Sequence, residues 1–153
     1  MGGKIMSSII RGRGAIGGRA QGPALISRKT IIGWGGIDVF TGKIIEKNHP
    51  LEGQSLKDKI LILDGSRGSN GWSLFFHAAQ VSGCGPAALI FPSLDSRTAV
   101  TAAVLNRPTV TDLDKDIFEQ VSLGDWLRVD GDQGSIEIIS PEKIMEETPH
   151  GIH

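Results

Sequence analysis

Residues 59 to 79, KILILDGSRGSNGWSLFFHAA, constrain the fold more than any other stretch, because the hydrophobic period changes inside it. KILIL, residues 59 to 63, is a short apolar run bounded by charge on one side and glycine on the other, the signature of a buried strand. From Trp72 onward the apolar residues Trp72, Phe75, Phe76 and Ala79 recur at i, i+3, i+4 and i+7, which is one face of a helix. Between them lie Asp64 to Gly71, a polar connection with three glycines, two serines and a single arginine. Ser69 or Asn70 suits the helix N-cap, and Gly83 and Gly85 suit its end. A chain that contains a strand, a loop and a helix in this order has α and β layers packed on one another.

The flanking segments fill in that frame. IIRGRGAIGGRA, residues 9 to 20, reads as an early strand followed by tight turns, and GPALIS, residues 22 to 27, as a second strand. IDVFTGKII carries a turn at Thr41-Gly42 between short extended pieces. AALIF, residues 87 to 91, is another buried strand. Asp95 or Ser96 caps a helix, SRTAVTAAVLN, that stops before Pro108. PTVT is a short strand, DKDIFEQVS a brief helix, and DWLRVDGDQGSIEIIS a hairpin around residues 131 to 134. The expected fold class is mixed α/β, with an antiparallel early portion beside a small sheet covered by helices. Residues 1–8 are expected to be a flexible N-terminus, 9–140 a single domain and 141–153 a polar tail.

Composition narrows the function. Sixteen basic and seventeen acidic residues leave a formal net charge of −1, which argues against a nucleic-acid or polybasic membrane surface. No apolar run approaches the roughly 20 residues of a membrane span, and the N-terminus has no signal-length apolar region. The one cysteine, Cys84, can neither form an intrachain disulfide nor hold a metal cluster alone; it fits a reducing cytoplasm. No metal site is expected in this chain.

The loop at 64–71 is where chemistry is expected. It follows the carboxyl end of a strand and precedes the amino end of a helix, whose first backbone N–H groups and dipole favour an anion. Gly65, Gly68 and Gly71 allow close approach of backbone to a ligand, Arg67 can clamp a carboxylate or phosphate, and Ser66 and Ser69 bring hydroxyls. It is neither a Walker A loop nor a nucleophile elbow. A loop that only turns the chain accounts for the same residues, and no His or Lys lies within it to activate a serine.

GRGAIGGRAQGPALIS, WGGIDVFTGKIIEKNHPLEGQSL, GSRGS and GPAALIF, in this order over about residues 11 to 110, resemble the small subunit, or swivel domain, of the aconitase X family. The resemblance implies a swivelling β/β/α fold and a cytoplasmic hydro-lyase in two polypeptides. The larger partner subunit carries the cysteines of an iron–sulfur cluster. The smaller subunit supplies the serine of the RGS motif, here Ser69, as acceptor of a proton α to a carboxylate while a β-hydroxyl leaves as water. Arg67 and Ser66, with Gly68 and Asn70 beside them, orient the small-molecule carboxylate substrate. Asp38, His49 and Trp34 match family positions and are candidates for the subunit junction or for support of the site.

Several readings remain open on sequence. The family has two substrate classes, cis-3-hydroxy-L-proline and mevalonate 5-phosphate. The first is the expectation here, because the sequence shows no second basic cluster for a phosphate. A non-catalytic anion-binding module and a purely structural subunit are the alternatives to an enzyme. Asp64 stands close enough in sequence to pair with Arg67 and compete with substrate, and His49, as a polar loop histidine, is expected to be solvated. Asp38 is expected to stabilise a turn, and the run from Asp112 to Asp116 to be a solvated helix start.

Overall fold

The computed structural model describes residues 7–68 and 71–141, so the expectations for the first six residues and for the tail from 142 lie outside the described residues. The elements follow the order β1 (Ser7–Arg11), β2 (Arg13–Ile16), β3 (Arg19–Ser27), β4 (Ile60–Leu63), α1 (Trp72–Val81), β5 (Ala88–Ile90), α2 (Ser96–Leu105), β6 (Thr109–Thr111), α3 (Ile117–Gln120), β7 (Trp126–Asp130) and β8 (Ser135–Ile139).

Strand β4 is the centre of the molecule. Side chains alternate across a strand, so Leu61 and Leu63 face one side and Ile60 and Ile62 the other, and all four are fully buried. Leu61 and Leu63 join Leu25, Leu89 and Phe91 beneath Trp72, Phe76 and Ala79 of α1 and Ala102 and Leu105 of α2. Ile60 and Ile62 join Ala88 and Ile90 against Ile10, Leu127, Val129 and Ile136 from β1, β7 and β8. The continuous apolar run is thus explained by burial on both faces. The layers are two β and one α, as the resemblance implies.

The pairing order is β1-β8-β7-β3-β4-β5-β6-β2. Contacts from β3 through β6 are parallel and the rest antiparallel. Long β3 belongs to both halves: Arg19 to Pro23 pair with β7, and Ala24 to Ser27 pair with β4. Pro23, which has no N–H to donate, stands where the strand changes partner. The two ends of the order, β1 and β2, are successive segments bent at Gly12, so the sheet wraps round on itself. At that seam a Cβ on Gly14 would collide with the Gly131 carbonyl oxygen, and one on Gly131 with that of Ile16.

Two expectations are corrected. The antiparallel half is built mainly from β1 and the C-terminal hairpin, not from the early strands alone, because β1 and β2 find partners more than ninety positions along the chain. The acidic run is more than a solvated helix start. Asp112 pairs with Arg13 at 2.7 Å, Asp114 accepts the Arg11 N–H, and Asp116 caps α3 and holds Arg28. Helix α2 begins as read, with Asp95 and Thr98 forming a reciprocal capping box. Helix α1 begins one or two residues later than expected, with Gly71 at the N-cap in place of Ser69 or Asn70, and among the described residues no side chain caps its free N–H groups.

Candidate active site at the carboxyl ends of the parallel strands

Three parallel strands deliver their following loops to one end of the sheet: residues 28–30 after β3, 64–68 after β4, and 91–95 after β5. This edge is where ligands bind in open α/β sheets. The loop after β4 is pinned at both sides. The Thr30 hydroxyl donates to the Gly65 carbonyl. Ser66 donates both its backbone N–H (3.1 Å) and its hydroxyl (2.9 Å) to Oδ2 of Asp95, whose Oδ1 accepts from the Thr98 N–H at 2.8 Å. Asp95 therefore ties the loop to the start of α2. Burial pushes its carboxyl upward, but the N–H groups of Thr98 and Ser66 outweigh that and leave it below its ordinary value.

Arg67 does not pair with Asp64. Its Nη1 donates to Oε2 of Glu46 at 3.0 Å, and the Lys29 ammonium lies 3.8 Å from the same oxygen. The Glu46 side chain is only 12% exposed, and its Oε1 accepts from the Ile32 N–H at 2.8 Å. Burial raises the Glu46 carboxyl, but the Ile32 N–H and the Arg67 guanidinium outweigh it, so the net direction is down. The Arg67 side chain remains 41% exposed. On the other flank, the Arg97 guanidinium lies 3.8 Å from where a Cβ on Gly68 would stand. Lys29 and Arg67, from the loops after β3 and β4, and Arg97, from the first turn of α2, thus come to one rim, a basic cluster not expected from the sequence.

The remaining candidates separate. Ser66, Arg67 and Gly68 lie together in the loop; Ser69 and Asn70 lie outside the described residues. His49 is 4% exposed, which overturns the expectation of a solvated ring. Its Nδ1 accepts from the Leu51 N–H, and its Nε2 lies 2.9 and 3.1 Å from the carbonyls of Lys29 and Thr30, so Nε2 carries the proton. The ring buttresses the segment after β3 from within. Asp38 accepts from the Phe40 N–H in a turn closed by Gly42, the structural role expected of it. Trp72 is core, its indole N–H bonded to the Ile31 carbonyl, whereas Trp34 is 80% exposed and meets Phe75 edge-on. Glu46, Lys29 and Arg97 were missed because each reaches the loop from a distant part of the sequence. The one legible hint was the cap at Asp95, which turned out to hold Ser66 as well.

A groove of about 420 Å³ lies elsewhere, over β3, β7 and β8, where Arg19 and Arg128 pair with Asp130 and Glu137. It contains none of the candidate residues. Among the described residues no group of three or more His, Cys, Asp or Glu side chains is placed to hold a metal ion, and Cys84 sits in a turn with its thiol directed to the Phe40 carbonyl. These residues do not fit an iron–sulfur cluster. No helix among the described residues is long and apolar enough to cross a membrane.

A model of the aconitase X swivel domain matches residues 9–138. The chain belongs to the aconitase X swivel domain family. Its relatives include a protein of Methanocella arvoryzae named phosphomevalonate dehydratase small subunit, 39% identical over 84% of this chain and 98% of that protein. A protein of the same name from Methanosarcina acetivorans is 35% identical over 90% and 96% respectively. Among solved structures, a chain of the holo-form of aconitase X from Thermococcus kodakaraensis superimposes with a TM-score of 0.79 at 30% identity, covering 87% of this chain and 99% of that one. The swivel-domain fold and family expected from the sequence are borne out.

Proposed function

We propose that this chain is the small subunit of an aconitase X-type dehydratase that converts mevalonate 5-phosphate, working with a larger subunit that bears an iron–sulfur cluster. The observation that carries this reading is similarity over nearly the full length of relatives named phosphomevalonate dehydratase small subunit. The rim of Lys29, Arg67 and Arg97 supports it. Hydroxyproline was the expectation only for want of a second basic cluster, and a substrate carrying both a carboxylate and a phosphate suits several cations better than one.

In this reading the loop at 64–71 closes one wall of a site shared by two subunits. Ser69 accepts the proton α to the carboxylate, the β-hydroxyl departs as water, and a carbon–carbon double bond remains. A serine hydroxyl has far too high a pKa to act unaided, so its alkoxide needs preorganised positive charge. Arg67 and the amino end of α1, with Gly71 at its N-cap, are the local sources. Ser66 holds the loop on Asp95, while Arg67, Lys29 and Arg97 hold the anionic groups of the substrate, with Gly68 and Asn70 giving backbone access. The cluster on the partner, when bound, supplies a Lewis acid for the leaving hydroxyl. Exposed Trp34 serves contact with the large subunit.

The test is reconstitution of the two-subunit complex and assay of both candidate substrates. Loss of water from mevalonate 5-phosphate with no turnover of cis-3-hydroxy-L-proline is expected; the opposite preference, or turnover of neither, would overturn the reading.

A further inference from the structure

Glu46 has no role in the function proposed above, yet it is the carboxylate to which Arg67 donates. One carboxylate oxygen is fixed by the Ile32 N–H, and the other takes Arg67 at 3.0 Å with Lys29 at 3.8 Å. The side chain is almost enclosed, so it has little freedom to swing away when an anion arrives. Its neighbour in the same segment, His49, clamps the carbonyls of Lys29 and Thr30, and Thr30 in turn holds the Gly65 carbonyl. Residues 46–49 therefore brace the loops after β3 and β4, which present Lys29 and Arg67. Guanidinium has five N–H donors in a rigid fork. Among the described residues one Arg67 nitrogen is anchored on Glu46, which orients the fork and leaves the other donors for a ligand.

We propose that Glu46 is a positioning residue for the dehydration: by anchoring Arg67, and Lys29 beside it, it sets the direction in which these cations meet the substrate anion. The inference rests on the dehydratase reading. It differs from a purely structural strut in what it predicts for coupling. A strut supports the fold whether or not Arg67 is present, whereas a positioning residue acts through Arg67 and loses its effect when Arg67 is gone.

The experiment uses the reconstituted complex and mevalonate 5-phosphate, with Glu46→Gln, Arg67→Ala and the double variant. Gln keeps the size and can still accept the Ile32 N–H, but removes the charge that holds Arg67. Glu46→Gln is expected to raise KM about tenfold or more with kcat changed less than about threefold, the pattern of lost substrate binding. In the Arg67→Ala background the same change is expected to shift KM less than about twofold. An unchanged KM, or an equal shift in both backgrounds, would overturn the inference. Should the Gln variant fail to fold, Glu46→Asp, which keeps the charge but cannot span Ile32 and Arg67 together, is read by the same two comparisons. An inactive wild-type complex would instead contradict the dehydratase reading itself, so the two failures are distinguishable.

Discussion

Asp95 shows how one side chain can serve two levels of structure. As an N-cap it satisfies a free N–H of α2, and as an acceptor for Ser66 it fixes the loop after β4. Replacing a capping Asp by Ala typically costs about 0.5–2 kcal/mol, and two loop bonds are lost as well. Asp95→Ala is expected to lower stability by about 1–2 kcal/mol in urea titrations. The pH dependence follows in sign. The folded-state carboxyls of Asp95 and Glu46 lie below their ordinary values, so their stabilisation is present above the unfolded pKa and is lost as pH falls through the folded one. Wild-type stability is therefore expected to decline below about pH 4, with a shallower decline in Asp95→Ala. The residue scale was also the least legible in sequence. Arg67 and Asp64 are near neighbours in the chain, yet the carboxylate that reaches Arg67 is Glu46, 21 positions away. Spacing describes local geometry and is silent on which distant segment folds back.

Elements were more legible, because each carries its own period or cap. Continuous apolarity marked β4 and β5, the i, i+3, i+4, i+7 spacing marked α1, Asp95 marked the start of α2, and the glycine-rich turn marked the β7–β8 hairpin. Pairing was not legible, since β3 divides its length between an antiparallel and a parallel neighbour and β1 and β2 diverge to opposite ends of the order. These are non-local choices, settled by which apolar faces fit together. Leu61 tests the central element. It is fully buried beneath the helical layer, and a core Leu→Ala change removes both transfer energy and packing. Leu61→Ala is expected to cost about 2–5 kcal/mol in chemical denaturation; a loss below about 1 kcal/mol would contradict burial of the helix-facing side of β4.

At the scale of the whole molecule, the fold places the candidate site at one edge and the apolar cores elsewhere. Two cores share the β3–β4–β5 platform, and the loops at the carboxyl ends of those strands, with the first turn of α2, carry the basic rim, the pinned turn and the RGS motif. In the proposed enzyme this chain contributes a hydroxyl, cations and closure. The most direct measurement is the turnover of the two-subunit complex carrying Ser69→Ala. Assembly is predicted to be unchanged while kcat falls on the order of 10²–10⁴-fold, the usual effect of removing a positioned proton acceptor. An Ala variant that assembles and turns over as fast as the wild type would contradict the claim that this loop performs chemistry in the shared site.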